Sequence, residues 1–110
     1  MKGGMVKAML YVDKDRNIVR CFNSSLAGNG ASAKPCGFTV EIGSDEQAII
    51  NFGFQISDRF ILTTPVTAGN GWYWEREKPQ TAPIEFHPNA NAKVLVTTSG
   101  WRQPFMIFVF

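Results

Sequence analysis

The chain has 110 residues, a formal net charge of +2 at pH 7, 45% hydrophobic residues and 18% charged residues. This length corresponds to about one domain, and a disordered chain would be less hydrophobic and more highly charged. The eleven Lys and Arg residues are scattered along the sequence, whereas a nucleic-acid binder concentrates them on one face. We therefore expect a single globular domain over residues 1–110 that does not bind nucleic acid.

No segment approaches the roughly 20 consecutive apolar residues that a membrane-spanning helix needs. The first ten residues lack the apolar stretch of a secretory signal peptide. We expect a soluble protein that does not insert into a membrane. The sequence leaves the cellular location open, with an extracellular or a particle-associated setting among the options.

Turn-forming residues recur every eight to fifteen residues, and apolar residues tend to alternate between them. This pattern is typical of a β-sandwich or barrel, and no ten-residue window has a helical period with caps. We expect an all-β domain, an antiparallel β-sandwich of about eight strands with jelly-roll-like topology. The candidate strands are Lys7–Val12, Ile18–Asn23, Gly37–Ile42, Ala48–Ile56, Arg59–Val66, Trp72–Arg76, a short Ile84–His87, Lys93–Thr98 and Pro104–Phe110.

The candidate strand Ala48–Ile56 has the clearest alternation. Ile50, Phe52, Phe54 and Ile56 occupy every second position, so they should share one buried face. The segment Ser24–Pro35 is rich in Ser, Ala and Gly and is expected to form a flexible loop.

Cys21 and Cys36 are the two cysteines of the chain, and His87 is its single histidine. The cysteines could close one disulfide across the loop between them, or remain as two buried thiols. Secreted domains held by disulfides usually contain more cysteines, so the sequence slightly favours free thiols. These three residues cannot supply the four closely spaced ligands of a zinc site, and we expect no metal and no cofactor.

Asp13, Asp15 and Asn17 are spaced like the first ligands of a calcium-binding loop. Such a loop also requires a glycine at its sixth position and a glutamate at its twelfth, where this chain has Ile18 and Ser24. Asp and Asn are also common turn residues. A β-turn without calcium explains the segment better.

Nucleophilic catalysis requires a base beside the nucleophile and a group that orients that base. The sequence contains neither a Gly-x-Ser-x-Gly elbow nor a phosphate-binding loop that ends in Lys-Ser/Thr. His87 is followed by a proline, and no partner for it is evident. We expect no catalytic residue and no enzymatic activity.

The run Trp72-Tyr73-Trp74 is the strongest candidate for ligand binding. In a strand, Trp72 and Trp74 would share one face and Tyr73 would take the other. Packing in the core is the simplest explanation of these rings. An exposed ring would instead suit stacking against a sugar or contact with a protein receptor. With Arg76 and Trp101, the three rings form the candidate ligand-binding set.

The last candidate strand is apolar on both faces. Phe105, Ile107 and Val109 lie on one side, and Met106, Phe108 and Phe110 lie on the other. A strand of this kind should be covered on both sides, either by another part of the chain or by another subunit. An apolar patch of this size favours a subunit interface. The candidate interface residues are Phe105, Met106, Phe108 and Phe110.

Several segments form a familiar combination, namely Val19–Asn23, Cys36–Val40, Ile50–Phe54 running on to Asp58–Phe60, the strand end at Pro65, and Pro104–Phe110. Together they resemble small β-sandwich modules that close bacterial and phage fibre-like proteins, including tail-fibre tips and the heads of collagen-like proteins. The resemblance implies a trimerisation head or receptor-binding tip whose last strand runs close to the subunit interface. Unlike the collagen-like members, this chain carries no collagen repeat.

The sequence thus predicts a non-enzymatic, self-associating recognition or assembly module, with a trimer favoured. An alternative hypothesis is a small carbohydrate-binding lectin that uses the tryptophans and Tyr73. An enzyme of unknown type is the least favoured hypothesis. The expected partners are further copies of the chain and, for recognition, a glycan or a cell-surface receptor.

Overall fold

The computed structural model describes residues 6–44, 46–66, 81–98 and 102–110. Within these ranges the chain is all-β, which confirms the predicted fold class. Eight strands are present, and a single 3-10 turn at Gly28–Ser32 is the only helical segment described. The strands are β1 (Ala8–Val12), β2 (Ile18–Asn23), β3 (Thr39–Ile42), β4 (Gln47–Asn51), β5 (Ile61–Pro65), β6 (Ile84–Phe86), β7 (Lys93–Thr97) and β8 (Phe105–Val109).

Two four-stranded antiparallel sheets form a β-sandwich. Sheet I has the strand order β2-β1-β8-β5, and sheet II has the order β3-β4-β7-β6. The first and last strands of the chain are therefore neighbours at the centre of sheet I. In sheet II the central pair is β4 and β7.

The core lies between the two sheets. In β1, β7 and β8 every second residue is buried, as expected for strands with one face toward the core. The Phe38 and Phe52 rings meet edge to face there, with their centroids 5.3 Å apart. Other fully buried side chains are Leu10, Val12, Ile50, Ile56, Val94, Val96, Phe105, Ile107 and Val109.

The β4 strand is shorter than the sequence predicts. It ends at Asn51, whose Oδ1 accepts a hydrogen bond of 2.9 Å from the N–H of Gly53. Gly53 has a φ of 78°, which glycine adopts without steric cost. Phe52 and Ile56 are still buried in the core, but Phe54 is only half-buried. The expectation that these residues continue one strand to Ile56 is therefore wrong.

Two further sequence predictions have different outcomes. The turn before β2 is closed by Asp13, whose Oδ1 accepts hydrogen bonds from the N–H groups of Asp15 at 2.9 Å and Asn17 at 2.8 Å. This confirms the β-turn interpretation of that segment. The candidate strand Trp72–Arg76 lies outside the described residues.

A disulfide joins Cys21 in β2 to Cys36 in the segment before β3, with a Cα–Cα distance of 6.2 Å. The expectation of free thiols is therefore wrong. Because β2 and β3 are edge strands of different sheets, the bond ties the two sheets together at one side. Asn23 supports it by donating from Nδ2 to the carbonyl oxygen of Cys36 at 2.9 Å.

One end of the sandwich is closed by the buried side chain of Arg16, which is 4% exposed. Its guanidinium donates to the carbonyl oxygens of Gln103 at 2.9 Å and Glu46 at 3.3 Å, and to Thr98 Oγ1 at 3.1 Å. Burial and the neighbouring Arg102 lower the pKa of Arg16, while Asp13 acts in the opposite direction. Arg16 thereby links the β1–β2 turn to segments next to β4, β7 and β8.

We expect the variant with both Cys21→Ala and Cys36→Ala to be less stable than the wild type. Closing a loop of 15 residues restricts the unfolded chain by about 3 kcal/mol. For a domain of this size that loss corresponds to a fall in Tm of about 12 °C or more. A thermal melt of both proteins checks this, and a reductant should lower the Tm of the wild type alone. An identical Tm with and without reductant in the wild type would contradict the disulfide.

Replacing Arg16 by Met keeps most of the aliphatic stem but removes all three hydrogen bonds. We expect the free energy of unfolding to fall by about 2–4 kcal/mol, because hydrogen bonds to a charged donor are each worth roughly 1.5–3 kcal/mol and lower desolvation returns part of the loss. Urea denaturation gives the value. The Arg16→Lys variant keeps the charge with fewer donors. Its free energy of unfolding should lie between those of the wild type and the Met variant. A Met variant as stable as the wild type would show that the network does not stabilise the fold.

Candidate functional site

The outer face of sheet I carries two full rows of side chains across its four strands. Cross-strand pairing places Met9 opposite both Phe22 and Phe108, and Phe108 opposite Leu62. This row is entirely apolar. The adjacent row consists of Arg20, Tyr11, Met106 and Thr64.

Phe60 and Phe110 extend this surface beyond the ends of β5 and β8. The N–H of Phe110 donates to the carbonyl oxygen of Phe60 at 2.9 Å, so the two residues stand opposite each other. By alternation, their side chains lie on the same side as Leu62 and Phe108. We use the name apolar face for the set Met9, Tyr11, Phe22, Phe60, Leu62, Met106, Phe108 and Phe110.

Three members of the apolar face are exposed, Phe60 most strongly. Phe60 is 86% exposed, Leu62 57% and Phe110 39%. The other five are half-buried, since neighbouring side chains on the same face cover part of their surface. Among them lies a shallow depression of about 200 Å³, lined mainly by Met9, Tyr11, Met106 and Phe108. The rim includes Arg20, the only charged residue in the two full rows.

The outer face of sheet II has a different composition. Its central row runs Glu41, Ile49, Leu95 and Glu85, so that a carboxylate flanks the apolar pair at each end. The next row consists of Thr39, Asn51 and Lys93. A mixture of this kind is ordinary for a sheet face in water. The apolar character is therefore specific to sheet I.

Three of the four predicted interface residues, Met106, Phe108 and Phe110, belong to the apolar face. Phe105 does not, because it is 0% exposed and lies in the core, where its ring packs 5.5 Å from the guanidinium carbon of Arg16. The reason is the two-residue period of a strand, which sends Phe105 to the opposite side from Met106. Phe105 is therefore removed from the candidate interface.

The remaining members of the apolar face were not predicted from the sequence. Part of the signal was present, because β1 is apolar at all five positions and must therefore show an apolar face on both sides. Met9 and Tyr11 could have been identified in this way. Phe22, Phe60 and Leu62 could not, because their proximity depends on which strands are neighbours.

The predicted ligand-binding residues Trp72, Tyr73, Trp74, Arg76 and Trp101 lie outside the described residues. The lectin hypothesis therefore stays a prediction from the sequence.

His87 is exposed, and its Nδ1 accepts a hydrogen bond of 3.1 Å from the N–H of Asn89.

The described residues contain no group of three or more His, Cys, Asp and Glu side chains that could hold a metal ion. In the same part of the chain, no helix has the length and apolar character required to cross a membrane.

Comparison of the chain with protein-family models, with curated proteins and with solved structures finds no match. The resemblance to the heads of fibre-like proteins stays a prediction from the sequence.

Neighbouring residues of β8 should respond differently to truncation. Phe105→Ala removes a fully buried ring and should lower the free energy of unfolding by about 3–5 kcal/mol. Phe108→Ala removes a half-exposed ring and should lower the free energy of unfolding by about 1–1.5 kcal/mol. The loss is smaller because the Phe108 ring buries less apolar surface on folding than the Phe105 ring does. Urea denaturation at low protein concentration, where association does not contribute, measures both. Equal losses would show that another part of the same chain covers Phe108.

Proposed function

We propose that this protein is a non-enzymatic assembly module that associates with copies of itself through the apolar face, and that the assembly is a trimer. The observation that carries the proposal is the uninterrupted row of Phe22, Met9, Phe108 and Leu62 across sheet I. It is supported by the strong exposure of Phe60 and Leu62. A face of this kind is unfavourable in water and is stabilised by being covered.

The size of the face is consistent with an interaction surface. Four strands about 4.8 Å apart, with about 3.4 Å per residue along each, span roughly 20 by 20 Å, or about 400 Å². Contiguous apolar patches on monomeric proteins seldom exceed a few hundred Å², and larger ones mark interaction sites. The apolar face therefore lies within the range of the largest patch on a typical monomer, and such a patch often serves an interaction.

The composition of the face favours a second copy of the chain as the partner. The two full rows contain no acidic residue, and their single basic residue, Arg20, lies on the edge strand β2. Copies of such a face would not repel one another, and nothing in it selects a charged ligand.

The expected affinity is moderate. Buried area does not convert directly into affinity, because association itself costs about 4–15 kcal/mol and side chains at the interface lose freedom. Two such faces also bury only about 800 Å² in total, which is below the standard interface size. In a trimer each chain contacts two neighbours, so residues around the face would add to the buried area. We therefore expect association in the micromolar range.

The proposed number of three subunits rests on the resemblance to fibre-head modules, in which the last strand runs close to the subunit interface. Here β8 is an interior strand of sheet I, next to β1, which places Phe108 in the middle of the apolar face. The pairing of the first strand with the last is one feature of the jelly-roll-like topology predicted from the sequence, but the pairs β1–β2, β3–β4 and β6–β7 each lie within one sheet here, unlike the alternation between sheets that is typical of a jelly roll.

The disulfide supports an extracellular or particle-surface setting for this module. Both cysteines of the chain are consumed by it, and disulfides persist mainly in oxidising environments. An assembly at the surface of a particle would meet such conditions.

The double variant Phe108→Ser and Phe110→Ser tests the proposal. It removes two aromatic rings from the apolar face without changing charge, and we expect a folded monomer under conditions where the wild type is a trimer. Sedimentation velocity measures the assembly, and circular dichroism confirms the fold. Leu95→Ser, on the outer face of sheet II, is the matched control and should assemble like the wild type. If the double variant assembles like Leu95→Ser, the apolar face is not the interface.

A further inference from the structure

A second surface feature lies on the side of the sandwich where β2 and β3 are the edge strands. An open cleft of about 440 Å³ runs between them. Its lining combines the apolar side chains of Ile18, Phe38 and Val40 with Asn17 and two basic residues, Arg16 and Lys34. None of these residues belongs to the apolar face, so the cleft is independent of the proposed interface.

The cleft has a surplus of positive charge. Among the described residues, none of those that line it is acidic, and the salt bridge found in the same part of the chain joins Lys14 to Asp15 elsewhere. Lys34 is exposed and has no carboxylate partner in that part of the chain. A cationic surface of this kind attracts anions, and the low-dielectric wall beside it strengthens the attraction.

Arg16 adds a charge that no carboxylate among the described residues neutralises by direct pairing. Within that part of the chain its guanidinium donates to uncharged oxygens, those of Gln103, Glu46 and Thr98, and its Nε has no hydrogen-bond partner there. Asp13 is close enough to raise the pKa of Arg16, but Asp13 Oδ1 already accepts two hydrogen bonds within its turn. A buried charge without an ion-pair partner is costly, and a nearby anion would offset part of that cost.

The backbone that carries the two basic residues is held in place by the fold. Lys34 lies two residues before Cys36, which is anchored by the disulfide and by Asn23. The N–H of Phe38 donates to the carbonyl oxygen of Pro35 at 2.9 Å, which closes the turn that follows Lys34. Arg16 is fixed by its own hydrogen bonds. Since the backbone and Arg16 are already positioned, ligand binding would mainly order the side chain of Lys34.

We propose that this cleft binds a small organic anion in which a carboxylate is attached to an apolar body. The carboxylate lies beside Lys34 in the electrostatic field of Arg16. The apolar part of the ligand packs against Ile18 and Val40. Arg16 acts through its charge and not by direct contact, because its Nε is buried.

Benzoate is a suitable probe, since it combines a carboxylate with one aromatic ring, and benzyl alcohol is the uncharged counterpart. In an amide NMR titration, benzoate should produce saturable shifts at Asn17, Ile18 and Val40. We expect benzyl alcohol to bind at least about fivefold more weakly, because it cannot make the charge-assisted contact of the carboxylate.

The matched variants are Lys34→Gln in the cleft and Lys14→Gln in the β1–β2 turn, which change the net charge equally. Lys34→Gln should weaken benzoate binding by about fivefold or more. Lys14→Gln should leave the dissociation constant within about twofold, since surface charges outside the site are largely screened by salt.

Three results would overturn the proposal. Equal effects of the two variants would mean that benzoate responds only to net charge. Equal binding of benzoate and benzyl alcohol would mean that the carboxylate is not recognised. Shifts that do not saturate, or that fall on Tyr11 and Met106 instead, would mean that the cleft is not the site.

Discussion

The position of β8 between β1 and β5 is the constraint on which the rest of sheet I depends. Burial of Phe105, Ile107 and Val109 in the core fixes the side to which every other residue of β8 points. Met106 and Phe108 must then lie on the outside. The same register brings Met9, Phe22 and Leu62 into line with Phe108, so the apolar face follows from how the core is packed.

The two sheets share one architecture but differ in what they present outside. Sheet II has carboxylates at both ends of its central row, whereas the corresponding row of sheet I has none. The disulfide and the Arg16 network hold the sandwich together at one side and one end, and neither depends on the apolar face. A folded single chain that exposes this face is therefore possible, and association would cover a surface that already exists.

The sequence was sufficient for the fold class and for the two-faced character of the last strand, because both depend on a local period of two residues. It was not sufficient for the disulfide, since whether Cys21 and Cys36 meet depends on the packing of one sheet edge against the other. The end of β4 depends on a hydrogen bond from the N–H of Gly53 to the side chain of Asn51. The alternation of Phe52 and Phe54 predicts a continuing strand and gives no sign of this bond. The cross-strand neighbours of Phe108 could not be predicted either, because strand order depends on contacts between residues far apart in the sequence.

The most direct test of self-association through the apolar face is the absolute mass of the wild-type protein, measured by light scattering behind size exclusion over a wide range of concentration. One chain has a mass of 12.2 kDa. If three copies associate through the apolar face, the mass will be three times this value at high concentration and will decline toward that of one chain on dilution. A mass of one chain at every concentration would contradict it, and would mean that the apolar face does not join copies of this protein.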